Sequence, residues 1–313
     1  MPSPSHRDTV IDLMQAAQTK LCTLFEDLDG STTTFTSHIW TLPDSGGGTA
    51  RVLTDGAVFE RAGVNFSAVH GERIPPSVAQ WRPTAQNQPF FATGISMVLH
   101  PRNPYVPAFH ANFRYFEAGE DWWFGGGMDM TPCYGFEEDA AHFHRTLKIF
   151  CDRHAIADYA ELKSACDQYF YIRHRNELRG IGGIFFDYLH PADPDGWQQG
   201  LDFIQEGIET IQPAYMPVVQ RRIQASYGDR ERDWQLYRRG RYVEFNLVYD
   251  RGTVFGLQTG GNIEAILMSL PPLARWEFDY QPTPGSAEAA LTQFLQPRDW
   301  ATRPVAGTEI NKL

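Results

Sequence analysis

Three stretches of this sequence space chemistry-bearing side chains two residues apart. In AFHANFRYF, residues 108–116, His110, Asn112 and Arg114 alternate with Phe109, Ala111, Phe113 and Tyr115. Side chains alternate across a β-strand, so the first three share a face, about 7 Å from one to the next. A base, an amide and a guanidinium on one face can move a proton, bond a heteroatom and hold a carboxylate. The ordinary alternative is the solvated face of an amphipathic strand, although such faces carry Lys, Glu and Thr more often than His with Asn. In ATGISMVLH, residues 92–100, Ser96, Val98 and His100 oppose Ile95, Met97 and Leu99. In DWWFGGGMDM, residues 121–130, Gly125, Gly127 and Asp129 oppose Phe124 and Met128. Glycines inside a strand pack nothing and weaken it, so such a run signals a bulge, tight backbone packing or a flat ligand over the sheet. Together the runs offer Ser96, His100, His110, Asn112, Arg114 and Asp129 to one cleft, floored partly by glycine.

The remaining candidates are weaker. His142 and His144 lie two apart in a helical pattern and point to opposite sides. His174 stands just before Arg175 and Glu177. No HExxH or other metal-ligand spacing occurs. His100, His110, His144 and His174 can meet only through the fold, and spacing alone favours satisfied or surface histidines. There is no P-loop, no GxSxG elbow and no GxGxxG that opens a helix; GIGGIFF leads into a strand instead. The expectation is therefore no organic cofactor. Cys22, Cys133, Cys151 and Cys166 form no CxxC pair and read as reduced thiols.

Elements must position these residues. A helix is expected near 8–28, capped by Asp8 and ended by Gly30. TLPDSGGGTA reads as a flexible stretch, residues 50–70 as paired strands around Asp55-Gly56, and GERIPPSVAQWRP as a Pro-broken connection. After the three central strands, helices are expected at 136–153 and 159–178. The strand GIGGIFFDYL follows, then a helix near 196–225 that Pro213 and Pro217 kink or split. RYVEFNLVYD-RG-TVFGLQTGG reads as a β-hairpin turning at 250–252. Strands in meander order with helices around them predict one α+β domain over residues 1–313, a large antiparallel sheet sandwiched between helices.

Composition agrees. The 313 residues are 42% hydrophobic and 21% charged, which excludes a disordered chain. With 27 Lys+Arg against 38 Asp+Glu, the net charge of −11 argues against nucleic-acid binding. No apolar run approaches the ~18 residues of a membrane helix, and the start lacks a signal-peptide layout. The expectation is a cytoplasmic protein without stable membrane insertion. Lys20, Lys148, Lys163 and Lys312 are the only lysines, so Arg supplies most of the positive charge. Arg suits bidentate carboxylate binding, although a GC-rich genome produces the same bias.

Longer blocks carry a resemblance. FERAGVNFSAVHG, HPRNPYVPAFHANFRYF, WWFGGGMDMTP, YFYIRHRNELRGIGGIFFDYL, RRGRYVEFNLVYDRGTVFGLQTGG and ILMSLPPLARW resemble the oxygen-dependent coproporphyrinogen III oxidases of haem biosynthesis, in family order from about 50 to 280. The resemblance implies a homodimer that converts two propionates of coproporphyrinogen III to vinyls, consuming O2, releasing CO2 and yielding protoporphyrinogen IX. It implies Asp129 and Arg114 as essential residues and His110 as proton donor. Substrate contacts fall on Ser96, Asn112, Phe113 and Arg114, and on Gly260, Gly261 and Asn262. In some bacterial members a divalent metal is assigned to four histidines, here His100, His110, His144 and His174; a metal-bound His110 is a poor acid, so it holds one role at a time. Two positions depart from the pattern: Asn262 replaces an Arg, and Tyr188 replaces a second acid. On this reading Asp129 accepts or orients a pyrrole N–H proton, and its loss leaves folding intact. A bulky residue at Gly127 blocks the macrocycle more than it harms stability, and Trp122 and Trp123 can wall the pocket. The rival readings are a non-catalytic tetrapyrrole binder and a metal-dependent oxygenase using the histidines.

Overall fold

The structure is a computed structural model that describes residues 5–74, 85–258 and 260–303. Most of the connection expected over 71–83 lies outside the described residues. Helix α1 (His6–Asp29) opens with Ser5, whose hydroxyl accepts from the Asp8 N–H while Asp8 reaches back, so Ser5 is the cap and Asp8 its partner. Gly30 closes it at φ 65°.

Strands β1 (Thr36–Leu42), β2 (Gly46–Thr54), β3 (Phe59–Gly71), β4 (Phe90–Pro101), β5 (Ala108–Ala118), β6 (Asp121–Thr131) and β9 (Gly183–Leu189) form one antiparallel sheet in that order. Strands β7 (Tyr171–Ile172) and β8 (Glu177–Leu178) pair separately. The α+β expectation is met. The glycine-rich stretch near 46–48 is strand rather than loose loop, because its backbone pairs on both sides and the Trp40 ring covers Gly48.

One face of the sheet packs against α1, α2 (Glu137–Asp152) and α4 (Gly196–Arg222), and buries Phe109, Phe113, Phe124 and Met128 with Phe143, Phe203 and Ile204. Both prolines of α4 lie inside one unbroken helix. Pro217 has no N–H for the Pro213 carbonyl, and His142 Nε2 donates to that carbonyl instead at 2.9 Å. Helix α3 (Tyr159–Tyr169) ends nine residues earlier than expected and hands over to the β7–β8 hairpin, turned by Asn176 at φ 54°.

The opposite face is partly covered by α5 (Asp229–Val248), α6 (Arg251–Gln258) and α7 (Ile263–Leu267). Here the expected hairpin over 241–261 is wrong: the segment is helical. Trp234, Arg238, Arg241, Tyr242 and Phe245 fall on one helical side and are buried, with Arg239 bonded to Glu60 and Arg238 to Glu177. The presumed turn is a helix start, since Asp250 Oδ2 accepts from the Thr253 N–H at 2.7 Å. The short α8 (Ala287–Ala290) completes the helices among the described residues.

Candidate active site

Register places the three central runs as their alternation requires. Ser96 faces Asn112 and Gly94 faces Arg114 across β4–β5; His110 faces Asp129, Asn112 faces Gly127 and Arg114 faces Gly125 across β5–β6. Asn65 extends this row from β3 and Phe185 from β9. Asn65, Ser96, His110, Asn112 and Arg114 are all partly exposed, whereas the glycines between them are closed backbone. The result is a shallow polar floor with flat glycine patches. The bulge reading holds for the glycine run, because the β6–β9 register slips between Phe124 and Gly126.

At the centre, His110 Nδ1 stands 2.8 Å from Asp129 Oδ1. An ionised carboxylate only accepts, so Nδ1–H donates and Nε2 is the nitrogen without a proton in the neutral ring. Asp129 is 1% exposed and its side chain is paired with Arg179, whose Nη2 lies 2.8 Å from both carboxylate oxygens. Burial alone raises the Asp129 pKa; the Arg179 charge and the His110 hydrogen bond outweigh it and hold the carboxyl below its ordinary value. Arg179 is fixed in turn by Asn246 Oδ1 at 3.0 Å and by the Phe170 and Tyr242 rings, 4.1 and 4.6 Å from its guanidinium carbon. Asp129 thus has no oxygen open to a ligand. His110 beside it is 20% exposed.

At the mouth, Arg114 donates to Asn112 Oδ1 at 2.8 Å and to Asp187 Oδ1 at 2.9 Å. The carboxylate missing at position 188 is therefore supplied next door by Asp187, while the Tyr188 ring packs near Trp123 in a separate apolar cluster. Phe113 is turned away: its ring lies in the core against Phe186, so it offers the cleft no side chain. Trp123 lies on the floor's own face, buried in that separate cluster and stacked on Phe116, whereas Trp122 packs against the main core on the other face beside His190. Gly260 at φ 71° and Gly261 form the turn between α6 and α7. Asn262 caps α7 through Oδ1 on the Ala265 N–H at 2.9 Å, a bond an Arg cannot make, and α7 leads to Met268 resting over Gly63 of the floor.

The four histidines do not form a coordination sphere in this chain. His100 shares the floor's face with His110, but its Nε2 donates to the Ser269 carbonyl at 2.9 Å and burial pushes its pKa down to about 3. His144 lies beneath the opposite face, donating from Nε2 to the Ile181 carbonyl and accepting from the Tyr159 hydroxyl. His174 is held on the outer hairpin by Glu244 and Tyr249. Among the described residues no three His, Cys, Asp or Glu side chains are grouped to hold a metal. The donors present among the described residues do not fit a divalent ion. The cysteines are free and buried.

Sequence reasoning missed Arg179, Asp187 and Arg251. Counting by twos from Gly183 puts Phe185 and Asp187 on the floor's face, a signal present in FFDYL. No local pattern marks Arg179, which lies fifty residues from its partner Asp129.

A sheet face with a glycine floor, a guanidinium mouth and a buried Arg–Asp pair behind one histidine is an arrangement with the shape and charge to hold a flat, anionic ligand and to move a proton at its centre. The model of the family described as "Coproporphyrinogen III oxidase" matches residues 9–300, and the chain belongs to that family. It is 50% identical to the oxygen-dependent coproporphyrinogen-III oxidase of Prochlorococcus marinus (strain MIT 9313), covering 96% of this chain and 92% of the relative. The protein of the same name from Synechococcus sp. (strain CC9902) is also 50% identical, over 97% of this chain and 90% of the relative.

Proposed function

We propose that this protein is an oxygen-dependent coproporphyrinogen III oxidase, converting two propionates of the substrate to vinyls and yielding protoporphyrinogen IX for haem synthesis. The observation that carries the reading is the convergence of Arg114, His110 with its Asp129–Arg179 pair, and Gly94, Gly125 and Gly127 on one sheet face. Each vinyl forms when the propionate β-carbon gives up a hydride equivalent and the carboxylate leaves as CO2, its bonding pair becoming the new C=C bond. O2 accepts the hydride equivalents, and the electron-rich macrocycle needs no organic cofactor to deliver them. Arg114 holds one propionate in a charge-assisted fork. His110, oriented by Asp129, gives and takes the proton through Nε2. Ser96 and Asn112 bond polar edges of the ring.

The protein works as a homodimer in the cytoplasm. No helix of the described residues is long and apolar enough to cross a membrane. Leu247, Val248, Leu257, Leu273, Trp276 and Phe278 are exposed apolar side chains of the kind that a second copy covers.

The test is anaerobically prepared coproporphyrinogen III mixed in air with chelator-treated protein whose dimeric mass is checked by sedimentation. Protoporphyrin fluorescence without added metal is the expected result. Product only after a divalent metal is restored would replace this reading by a metal-dependent oxygenase. Tight porphyrin binding with no product under either condition would make the protein a tetrapyrrole binder.

The glycines separate function from folding. A Cβ at Gly125 would lie 2.8 Å from Arg114 Nε and 3.0 Å from Asp187 Oδ1, so Gly125→Ala displaces the carboxylate fork and raises KM about fivefold with little change in Tm. A Cβ at Gly127 would lie 2.2 Å from the Ile184 carbonyl oxygen, on β9 backbone that cannot yield. Gly127→Ala therefore costs about 2–4 kcal/mol of stability, which reverses the expectation that this position mainly guards the macrocycle. Paired melting curves and Michaelis curves for the two variants check both statements.

A further inference from the structure

The mouth of the cleft carries a second guanidinium. Arg251, the first residue of α6, places Nη2 3.3 Å from Asp187 Oδ2, while Arg114 Nη2 holds Oδ1 of the same carboxylate at 2.9 Å. Its guanidinium carbon lies 4.8 Å from the centre of the Tyr169 ring and 5.5 Å from that of Phe185. Those rings stack at 4.3 Å, and Phe185 is the floor residue opposite Gly127. The Arg251 N–H donates to the Tyr169 hydroxyl at 3.1 Å, and that hydroxyl donates to Asp250 at 2.9 Å. The side chain is thus seated on an aromatic stack and anchored at its backbone, yet 44% exposed.

We propose that Arg251 is a second carboxylate-binding residue, which with Arg114 brackets one carboxylate of a tetracarboxylate substrate, and that Asp187 occupies their junction until that carboxylate arrives. The inference rests on the tetrapyrrole reading above and deepens it. Two guanidiniums share the single carboxylate of Asp187, while the neighbouring Asp250 is engaged by the Tyr169 hydroxyl and the Thr253 N–H. That junction already shows the geometry a propionate needs, because the Asp187 side chain ends in the same chemical group. Seating on Tyr169 and Phe185 preorganises Arg251, so little side-chain freedom remains to be lost on binding.

The full-length protein carrying Arg251→Met keeps the apolar stem over the two rings and loses the charge; Arg251→Lys keeps a charge without the fork. KM for coproporphyrinogen III and Kd for coproporphyrin, read by quenching of protein fluorescence, should both rise about tenfold in Arg251→Met, with kcat falling no more than about threefold. Arg251→Lys should recover part of this loss. Affinity for coproporphyrin tetramethyl ester should be the same in wild type and variant. An unchanged Kd for the acid would overturn the proposal, as would an equal loss for acid and ester, which would make Arg251 only an anchor of α6. If wild-type protein binds the acid in the expected pattern but turns over no coproporphyrinogen III, the oxidase reading fails and the carboxylate site stands.

Discussion

Asp129→Asn protein should fold, bind the macrocycle and turn it over about 10²–10⁴-fold more slowly. Asn keeps the shape of Asp129 but carries no charge, so it neither selects Nδ1–H on His110 nor stabilises the ring when it is protonated. A merely structural role predicts none of the next result: the imidazole ¹⁵N shifts of His110 should report a mixture of tautomers in the variant and a single Nδ1–H form in the neutral wild-type ring. Stability should suffer too, contrary to the expectation from sequence that folding stays intact. The Asp129–Arg179 pair is buried, and Asp129→Ala, which abandons Arg179 entirely, should cost about 3–5 kcal/mol in denaturant titrations. The folded-state pKa of Asp129 is depressed. Its contribution is therefore fully present above the unfolded carboxylate value and lost as pH falls through the folded one. Acid unfolding below about pH 4 should accordingly be less steep in Asp129→Asn. Near-normal turnover with an unmixed tautomer would remove Asp129 from the mechanism.

Arg179→Met should destabilise as much as Asp129→Ala, by about 3–5 kcal/mol, because it leaves the Asp129 carboxylate buried among Phe170, Tyr242 and Cys166 without its cation. The pH dependence should reverse in sign. With Arg179 gone, desolvation is opposed only by His110, the Asp129 pKa rises, and the variant recovers stability as pH falls toward the unfolded carboxylate range. Activity should fall with it, since a protonated Asp129 no longer supports His110. The double variant Arg179→Met/Asp129→Asn buries neither charge and should be more stable than the two single losses sum to, while remaining slow. Strict additivity in that cycle would sink the ion-pair account.

The floor was legible because strand alternation is local. Parity alone put Ser96, His110, Asn112, Arg114 and Asp129 on one side. Short connections at 102–107 and 119–120 then hold β4, β5 and β6 in neighbouring antiparallel register. Helix α1 was legible from its apolar stripe and closing Gly30, although its cap is Ser5 and not Asp8, and α2 starts and ends within one residue of the expected 136–153. The segment 241–258 was not. Its Arg, Tyr and Phe pattern suits a strand taken alone, and only burial of Arg238, Arg239, Tyr242 and Phe245 against Glu177, Glu60, His100 and Phe170 makes it helical.

By itself, then, the sequence determined the family, the polar face of the central strands and the glycine floor, because period-two alternation and contiguous motifs need no partner to be read. The tertiary structure alone decided that Arg179 stands behind Asp129, that Arg251 and Arg114 meet on Asp187, and that His100, His110, His144 and His174 disperse. These are contacts between segments tens of residues apart, and burial sets their chemistry. The same carboxylate that looked free to meet a substrate in GGGMDMTP is sealed under an arginine, and the histidine beside it is the group left facing the cleft.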